Sequence, residues 1–424
     1  MLKKKEMRCS KRIIQYILKS LAKAILKKYQ PDVIGITGSV GKTSAKMAIQ
    51  TVLKNDFKVR ASQKSYNTET GVPLTIIGSG NPGRNIFGWL AVILKALALI
   101  FARDKNYPQI LILEMAADHQ GDIKYLTDIA QPKIGLITSV GPTHLEFFGS
   151  VANVAKEKSI MIANLNTTDY AVINNDQKIL VELSKKTKAQ LFTYGLNKAD
   201  LTASDLELNQ ASGGLYFKIN YKDNSANVNL PNLLGRPIVY AFLAASAVGI
   251  IYQLNLKKIA ERLEDFENQP GRLNLLPGIK YTRIIDDSYN SSPLAVKAAL
   301  ETLSQLKCAG NKFAVLGDML ELGDYTKKAH QEIGELVAKL AIDYLITVGE
   351  RSHSTAESAK EFGMNPDRIF SFDNPENAGC FLQDRIAEGD LILVKGSAAM
   401  SMERITKEIM AEPQKANKLL VRQK

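Results

Sequence analysis

Cysteine is nearly absent: Cys9, Cys308 and Cys380 are the only three in 424 residues, and none stands at a spacing that suits a bridge or a metal. A disulfide framework and a cysteine-built zinc site are therefore excluded, and a reducing, cytoplasmic compartment is expected. No apolar run reaches the roughly 20 residues needed to cross a bilayer. The stretch Ile86–Phe101 (IFGWLAVILKALALIF) falls short, carries Lys95 within it, and reads as a buried or interfacial helix flanked by Arg84 and Arg103. A secretory leader is also excluded, because Gln15, Lys19 and Lys23 interrupt the first apolar segment and no small-residue cleavage site follows. Low-complexity tracts and short-period repeats are missing as well.

Acid is scarce only at the start. Residues 1–30 hold ten Lys or Arg and one acid, Glu6, so +9 of the net charge of +12 lies there. The remainder is close to neutral, which argues against a nucleic-acid-binding face on the folded body. In the same segment Ile14, Ile17, Leu18, Leu21, Ile25 and Leu26 recur at helical spacing, with Lys19, Lys23 and Lys27 on other faces. Residues 1–32 thus read as a basic amphipathic helix. Two placements are open for it: against the next domain, or on the anionic inner surface of a membrane as a peripheral contact.

The most telling segment is 33–49, VIGITGSVGKTSAKMAI. A short apolar strand delivers the chain to a sheet edge, Gly38 and Gly41 let the backbone wrap phosphate oxygens, and a new helix points its free N–H groups at the same anion. Thr37, Gly38, Ser39, Val40, Gly41, Lys42, Thr43 and Ser44 form the expected phosphate cradle. Lys42 would reach the outer phosphates of a nucleoside triphosphate, and the Thr43 hydroxyl would ligate Mg²⁺. Ile36 occupies the place of the first glycine of the general phosphate-loop pattern, leaving Thr-Gly-x-x-Gly-Lys-Thr.

Downstream, apolar runs at 33–37, 110–114, 134–139, 170–174 and 190–194 alternate with helical patterns, which implies a mostly parallel sheet covered by helices. Residues 201–230 alternate apolar and polar side chains and read as a small antiparallel patch, followed by a helix over 237–252. At 424 residues two or more cores are expected. Pro270-Gly271-Arg272 breaks the chain before a second series, with strands at 282–285, 313–317, 344–348 and 391–395 and helices at 293–306, 325–341, 353–362 and 399–411. Ligands of parallel α/β sheets gather at the carboxyl ends of strands. Glu114, which ends ILILE, His144 in TSVGPTHLE, and Lys158 fourteen residues on are accordingly candidates beside the triphosphate, as are Asp286 and Asp287 after YTRII.

Taken together, GITGSVGKTS, NTETGVPLT (67–75), LEMAADHQGDI (113–123), HLEFFGSVANVAKEKS (144–159), PGRL (270–273), IIDDSYNSSP (284–293), VLGDMLELG (315–323) with His330, and VKGS (394–397) resemble the Mur ligase family. The resemblance covers about 33–411 and points to the branch that adds D-alanyl-D-alanine to a muramoyl tripeptide. It implies an α/β chain with a central phosphate-loop ATPase domain over 33–272, built on a mostly parallel sheet, and a C-terminal Rossmann-like α/β domain over 273–424. It also implies a cytoplasmic, monomeric, ATP- and Mg²⁺-dependent ligase of peptidoglycan precursor synthesis, working through an acyl phosphate. By the same resemblance Thr43 and Glu114 match ligands of one Mg²⁺, and His144 a ligand of a second. Lys158 falls where several members carry a carbamylated lysine. Arg272, Asp287, Tyr289 and Asn290 match positions at the nucleotide and hinge, and Asn67, Thr68, Lys395 and Ser397 positions near the peptide substrates.

Three departures accompany the resemblance. Only 32 residues precede the phosphate-loop strand where members carry a sugar-nucleotide domain. The Gly-x-His-Asn-x-x-Asn stretch reads Gly235-Arg236-Pro237-Ile238-Val239-Tyr240-Ala241. Ala398 stands where an arginine is usual. A ligase acting on another, lipid-linked carboxylate and a non-catalytic ATP-binding scaffold are the alternatives these departures leave.

Overall fold

The computed structural model describes residues 2–63, 66–209, 214–231 and 233–422, with side chains from residue 13 onward. Its first sheet has nine strands: β1 (Asp32–Thr37), β2 (Val59–Ala61), β3 (Ile110–Glu114), β4 (Ile134–Ile137), β5 (Tyr170–Asn174), β6 (Gln190–Gly195), β7 (Leu201–Leu208), β8 (Leu215–Tyr221) and β9 (Asn224–Leu230). Their order is β2-β3-β1-β4-β5-β6-β7-β8-β9. Pairing is parallel from β2 through β7 and antiparallel for β7–β8 and β8–β9. The alternating segment 201–230 therefore extends the main sheet instead of standing apart, and residues 210–213 of that segment lie outside the described residues.

The second sheet holds β10 (Asn274–Pro277), β11 (Arg283–Asp287), β12 (Lys312–Gly317), β13 (Tyr344–Val348), β14 (Ile369–Phe372) and β15 (Leu391–Lys395), in the order β10-β11-β15-β12-β13-β14. Only the β10–β11 pair is antiparallel.

Strands buried on both faces have no polar side to show, which is why their sequences are continuous apolar runs. Along β3, Ile110 and Ile112 enter the core cluster on one side of the sheet, and Leu111 and Leu113 the cluster on the other. The chain leaves β1 to one side for β2 and β3 and returns to its other side for β4. That reversal opens a crevice beyond the carboxyl end of β1, where the phosphate loop lies.

The N-terminal helix α1 (Leu2–Tyr29) packs against α3 (Gly71–Ile77) and α4 (Ile86–Phe101), while α2 (Lys42–Leu53) follows the phosphate loop. On α1, Leu18, Ala22 and Ile25 are fully buried, Ile14, Leu21 and Leu26 are partly covered, and Ile13, Tyr16 and Ile17 remain in water. Lys28 Nζ donates to the carbonyls of Leu99, Ile100 and Ala102 at 2.9, 2.9 and 2.7 Å. These lie at the C-terminal end of α4, where carbonyls lack helical partners. The first of the two placements open for this helix, against the neighbouring domain, is thus occupied by its inner stripe.

Because that stripe is core, Ile25→Ala should lower stability by about 2–5 kcal/mol through lost burial and the cavity left behind. A denaturant titration followed by far-UV circular dichroism reads it. An unchanged midpoint would mean that α1 does not contribute to the folded core.

Candidate active site

The phosphate loop is held from outside by the segment that follows β4. Ser39 N donates to the Ser139 carbonyl at 2.8 Å, Val40 N donates to Ser139 Oγ at 2.8 Å, and Thr138 Oγ1 donates to the Val40 carbonyl at 2.6 Å. Only glycine fits at 38, since a Cβ there would lie 2.0 Å from Thr138 Oγ1. Gly41 adopts φ 87°, in the left-handed region, and opens α2 with no side-chain cap and no acid in the first turn. The first N–H groups of α2 and its positive dipole end are thereby left for an anion. Lys42 Nζ folds back to the Gly38 carbonyl at 2.7 Å. Burial lowers the pKa of Lys42, Glu114 opposes that shift and Arg272 adds to it.

Glu114, at the end of β3, is the hub. Its Oε2 accepts from Thr43 Oγ1 at 3.1 Å and lies 3.4 Å from Lys46 Nζ, and its Oε1 accepts from Asn67 Nδ2 at 3.2 Å. Burial alone would raise its pKa. Lys46, Lys42, the Asn67 hydrogen bond and Arg272 together outweigh burial and keep the carboxyl below its ordinary value, hence ionised. Thr43 and Glu114 are hard oxygen donors at the mouth of the loop, which is the chemistry Mg²⁺ prefers. Among the described residues no cluster of three or more His, Cys, Asp or Glu side chains forms a cage. The set fits an ion that takes one or two protein oxygens and completes its shell with water and phosphate.

His144 follows β4 in a left-handed conformation (φ 53°). Its Nε2 lies 3.5 Å from Asp118 Oδ1. Its Nδ1 lies 2.7 Å from Glu321 Oε2, close enough for an ion pair but not aligned as a hydrogen bond. Glu321 comes from the second sheet's side of the molecule, and the Glu146 N–H donates to its carbonyl at 3.3 Å. His330 supports this contact from behind: buried and with a lowered pKa, it accepts from the Met319 N–H through Nε2 at 3.1 Å while Nδ1 meets the Thr326 carbonyl at 2.8 Å.

The facing wall is built on β11 and β15, whose final residues Asp287 and Lys395 are register partners. Lys395 is buried and donates to Asp287 Oδ2 at 2.6 Å and to the Asn290 carbonyl at 2.8 Å. Ser397 Oγ accepts from the Leu320 N–H at 3.0 Å, and Asn290 Oδ1 accepts from the Ala398 N–H at 3.4 Å. Arg272 lies over the Tyr289 ring, 4.0 Å from its centroid, and its buried Nε has no hydrogen-bond partner. Arg272 is among the residues that line the cavity, and a guanidinium in such a place is a ready donor to an anion.

Between the two walls lies a cavity of about 450 Å³. Ser39, Val40, Gly41, Lys42, Thr43, Ser44, Asn67, Thr68, Glu114, His144, Arg272, Asp287, Tyr289, Asn290, Lys395 and Ser397 all line it. Of the remaining candidates, Thr37 and Gly38 lie just behind the loop, Lys158 is not in the lining, and Asp286 is fully buried away from the cavity, where its Oδ1 accepts from Thr406 Oγ1 at 3.2 Å. Lys158 is buried behind the cavity on the Val151–Ala163 helix. Burial and the Lys42 charge push its ammonium down to about 7, with Asp118 and Glu157 pulling the other way. Asp118 and Glu321 were not singled out from the sequence; the signal was there in two acids shortly after the ends of β3 and β12. In the stretch that departs from Gly-x-His-Asn-x-x-Asn, Pro237 and Ile238 line the cavity with Leu234 and Leu273, and Tyr240 turns instead to Asp176, donating at 2.9 Å.

Two family models match the chain: the Mur ligase middle domain over residues 94–249, and the Mur ligase, glutamate ligase domain over 271–398. The UDP-N-acetylmuramoyl-tripeptide–D-alanyl-D-alanine ligase of Bacillus subtilis (strain 168) is 30% identical over 399 residues, covering 93% of this chain and 79% of the relative. The enzyme of the same name from Escherichia coli (strain K12) is 28% identical over 396 residues, covering 92% and 79%. Among solved structures, the MurF ligase of Thermotoga maritima in complex with ADP matches with a TM-score of 0.78 at 27% identity, covering 95% of this chain and 84% of that one.

The burial of Lys158 has a sign that can be measured. Unfolded, its amine titrates near 10.5, and folded near 7. Between those values the unfolded chain binds the extra proton, so stability rises with pH through that window. Below it the cost of a buried ammonium is fully present. The denaturant midpoint should therefore climb from about pH 7 to about pH 9.5 more steeply in the protein than in Lys158→Met. Equal slopes would show that Lys158 keeps its ordinary titration.

Proposed function

This chain belongs to the Mur ligase family of ATP-dependent ligases, and we propose that it joins D-alanyl-D-alanine to a UDP-N-acetylmuramoyl tripeptide in the cytoplasm. The observation that carries this reading is the single cavity in which the phosphate loop and Glu114 face Asp287, Lys395 and Ser397 across the gap between the sheets. It brings a triphosphate cradle and a second, cation-bearing wall to one place, as a two-step ligation requires.

Bare carboxylate and amine condense unfavourably in water, so the acid must first gain a leaving group. A peptide carboxylate oxygen attacks the γ-phosphorus of ATP, the bond to the β-phosphate oxygen breaks, and ADP and an acyl phosphate result. The amine nitrogen of D-alanyl-D-alanine then attacks the acyl carbon, the carbon–oxygen bond to phosphate breaks, and the nitrogen gives up a proton. Catalysis is positioning and charge neutralisation. Lys42, released from the Gly38 carbonyl, serves the outer phosphates, and the open end of α2 takes the others. Arg272, which lines the same cavity, offers its guanidinium to that anion. Thr43 and Glu114 would hold Mg²⁺, with His144 at a second ion, and the metal would supply neutralisation of phosphate charge. Lys158, with its amine near neutrality, suits the carbamylated lysine of several relatives. Asn67 and Thr68 stand toward the acceptor peptide, and Lys395 and Ser397 toward the incoming dipeptide.

The direct test is phosphate release dependent on both a soluble muramoyl tripeptide and D-alanyl-D-alanine. Release with neither or with a lipid-linked acceptor only would overturn this substrate assignment. In that assay Lys42→Ala or Glu114→Ala should reduce turnover at least about a hundredfold with the fold intact, because each removes a preorganised charge at the transferring phosphoryl group. Near-normal turnover by either variant would remove that residue from the phosphoryl step.

The wall formed by Leu234, Pro237, Ile238 and Leu273 offers a base apolar contact without amide or imidazole donors. Discrimination between ATP and GTP should therefore be weak, because a missing pair of base hydrogen bonds withholds about 1–3 kcal/mol. Comparing kcat/KM for the two nucleotides measures it. A preference for ATP above about a thousandfold, or 4 kcal/mol, would show that other residues read the base.

A further inference from the structure

α4 is built almost wholly from apolar residues, and only one side of it is covered. Val92, Ala96 and Leu99 face the core. On the other side Phe87 is 83% exposed, Leu90 52%, Leu94 57% and Phe101 84%, with Ile86 at the helix start 80% exposed. The spacing 87, 90, 94, 98, 101, completed by the exposed Ala98, is a single stripe along a helix. Of the twelve large apolar side chains most exposed among the described residues, eight lie on α4 and on its neighbour α1, where Ile13, Tyr16 and Ile17 are also in water. Isolated exposed apolar residues are ordinary; a continuous stripe marks an interaction surface.

The charge around the stripe selects the partner. From Arg84 to Arg103 there is no acid, and α1, packed beside α4, carries ten Lys or Arg against Glu6. Lys95, the one charge inside α4, is tied to the Gly78 carbonyl at the end of α3. A second copy of the chain would bring two such basic segments together, whereas an anionic surface neutralises them. Among the described residues no helix is long and apolar enough to cross a membrane, so insertion would be in the plane of the interface.

We propose that the exposed stripe of α4, with basic α1 beside it, seats this protein on the anionic surface of a phospholipid bilayer. The apolar side chains enter the boundary between headgroups and acyl chains while exposed Lys23 and Lys27 of α1 meet lipid phosphates. Both helices pack on α3, which begins three residues after Thr68 of the cavity. The seating is independent of the identity of the acceptor and needs no turnover.

Co-sedimentation of the full chain with vesicles tests it. Vesicles of phosphatidylglycerol and phosphatidylcholine should pellet the protein, and those of phosphatidylcholine alone should leave most of it in solution. Added salt should loosen but not abolish the binding, because the apolar contribution is not screened. The double variant Leu94→Glu/Phe101→Glu should lose at least about tenfold in partitioning, with its thermal midpoint and its phosphate release on a soluble acceptor unchanged. Lys23→Glu/Lys27→Glu should weaken binding at low salt only. Failure of the full chain to bind anionic vesicles, or binding that the α4 variant leaves intact, overturns the proposal. So does a dimer by light scattering that the α4 variant converts to monomer without any vesicle binding, which would make this face a contact between copies.

Discussion

Everything in the central half of the cavity hangs on keeping Glu114 charged while almost out of reach of water. A carboxylate in that position is costly unless its oxygens are fully engaged, and removing one partner of such a buried pair typically costs about 3–5 kcal/mol. Lys46 and Thr43 come from α2, Asn67 from the segment leading into α3, and the carboxylate itself from β3. One side chain thereby fixes the first turn of the phosphate-loop helix against a neighbouring strand and against the segment that leads into α3. The same engagement leaves an anion at the mouth of a cradle otherwise lined with the Lys42 and Arg272 cations.

The second half repeats this logic with the signs exchanged. Lys395 is the buried ion, and Asp287 and the Asn290 carbonyl satisfy it. Both hubs stand on the final residue of a strand, so two parallel sheets turned carboxyl end to carboxyl end present a fixed anion and a fixed cation to one another. Arg422 reinforces the second hub: it holds the Ser288 and Tyr289 carbonyls at 2.6 and 2.9 Å and pairs with buried Glu403. The backbone of Tyr289, whose ring lies under Arg272, is thus held in place by Arg422.

Much of this was legible because it is local. The loop 37–44 declares itself through glycine spacing and the Lys-Thr that follows, and β1, β3, β12 and β15 through apolar runs that only strands buried on both faces can tolerate. What escaped depends on distance along the chain. Asp118 and Glu321 become neighbours of His144 only when the two sheets meet, and single acids in loops carry no periodic signal. The edge strands β2 and β14, three and four residues long, are too short to show alternation. The N-terminal stripe is visible as a helix, but periodicity leaves open which of its members are covered: Ile17 is exposed, while Ala22, too small to stand out, is core. Lys158, a candidate by its place fourteen residues after His144, lies behind the cavity, because distance along the chain gives no depth.

The contact between His144 and Glu321 has an implication for how such an enzyme can change over generations. Neither half of the cavity is complete alone, and the Glu321 backbone and side chain both touch the segment after β4. Gly271 imposes a second condition at the crossing, since with φ 72° it admits no side chain without striking the Tyr289 amide, 2.8 Å from where a Cβ would be. A C-terminal half exchanged from a relative would have to bring a matching acid at 321 and preserve that bare backbone joint. The two halves are thereby matched to one another at these two points, and a side-chain change on one wall disturbs neither of them, whereas exchange of a whole module meets both.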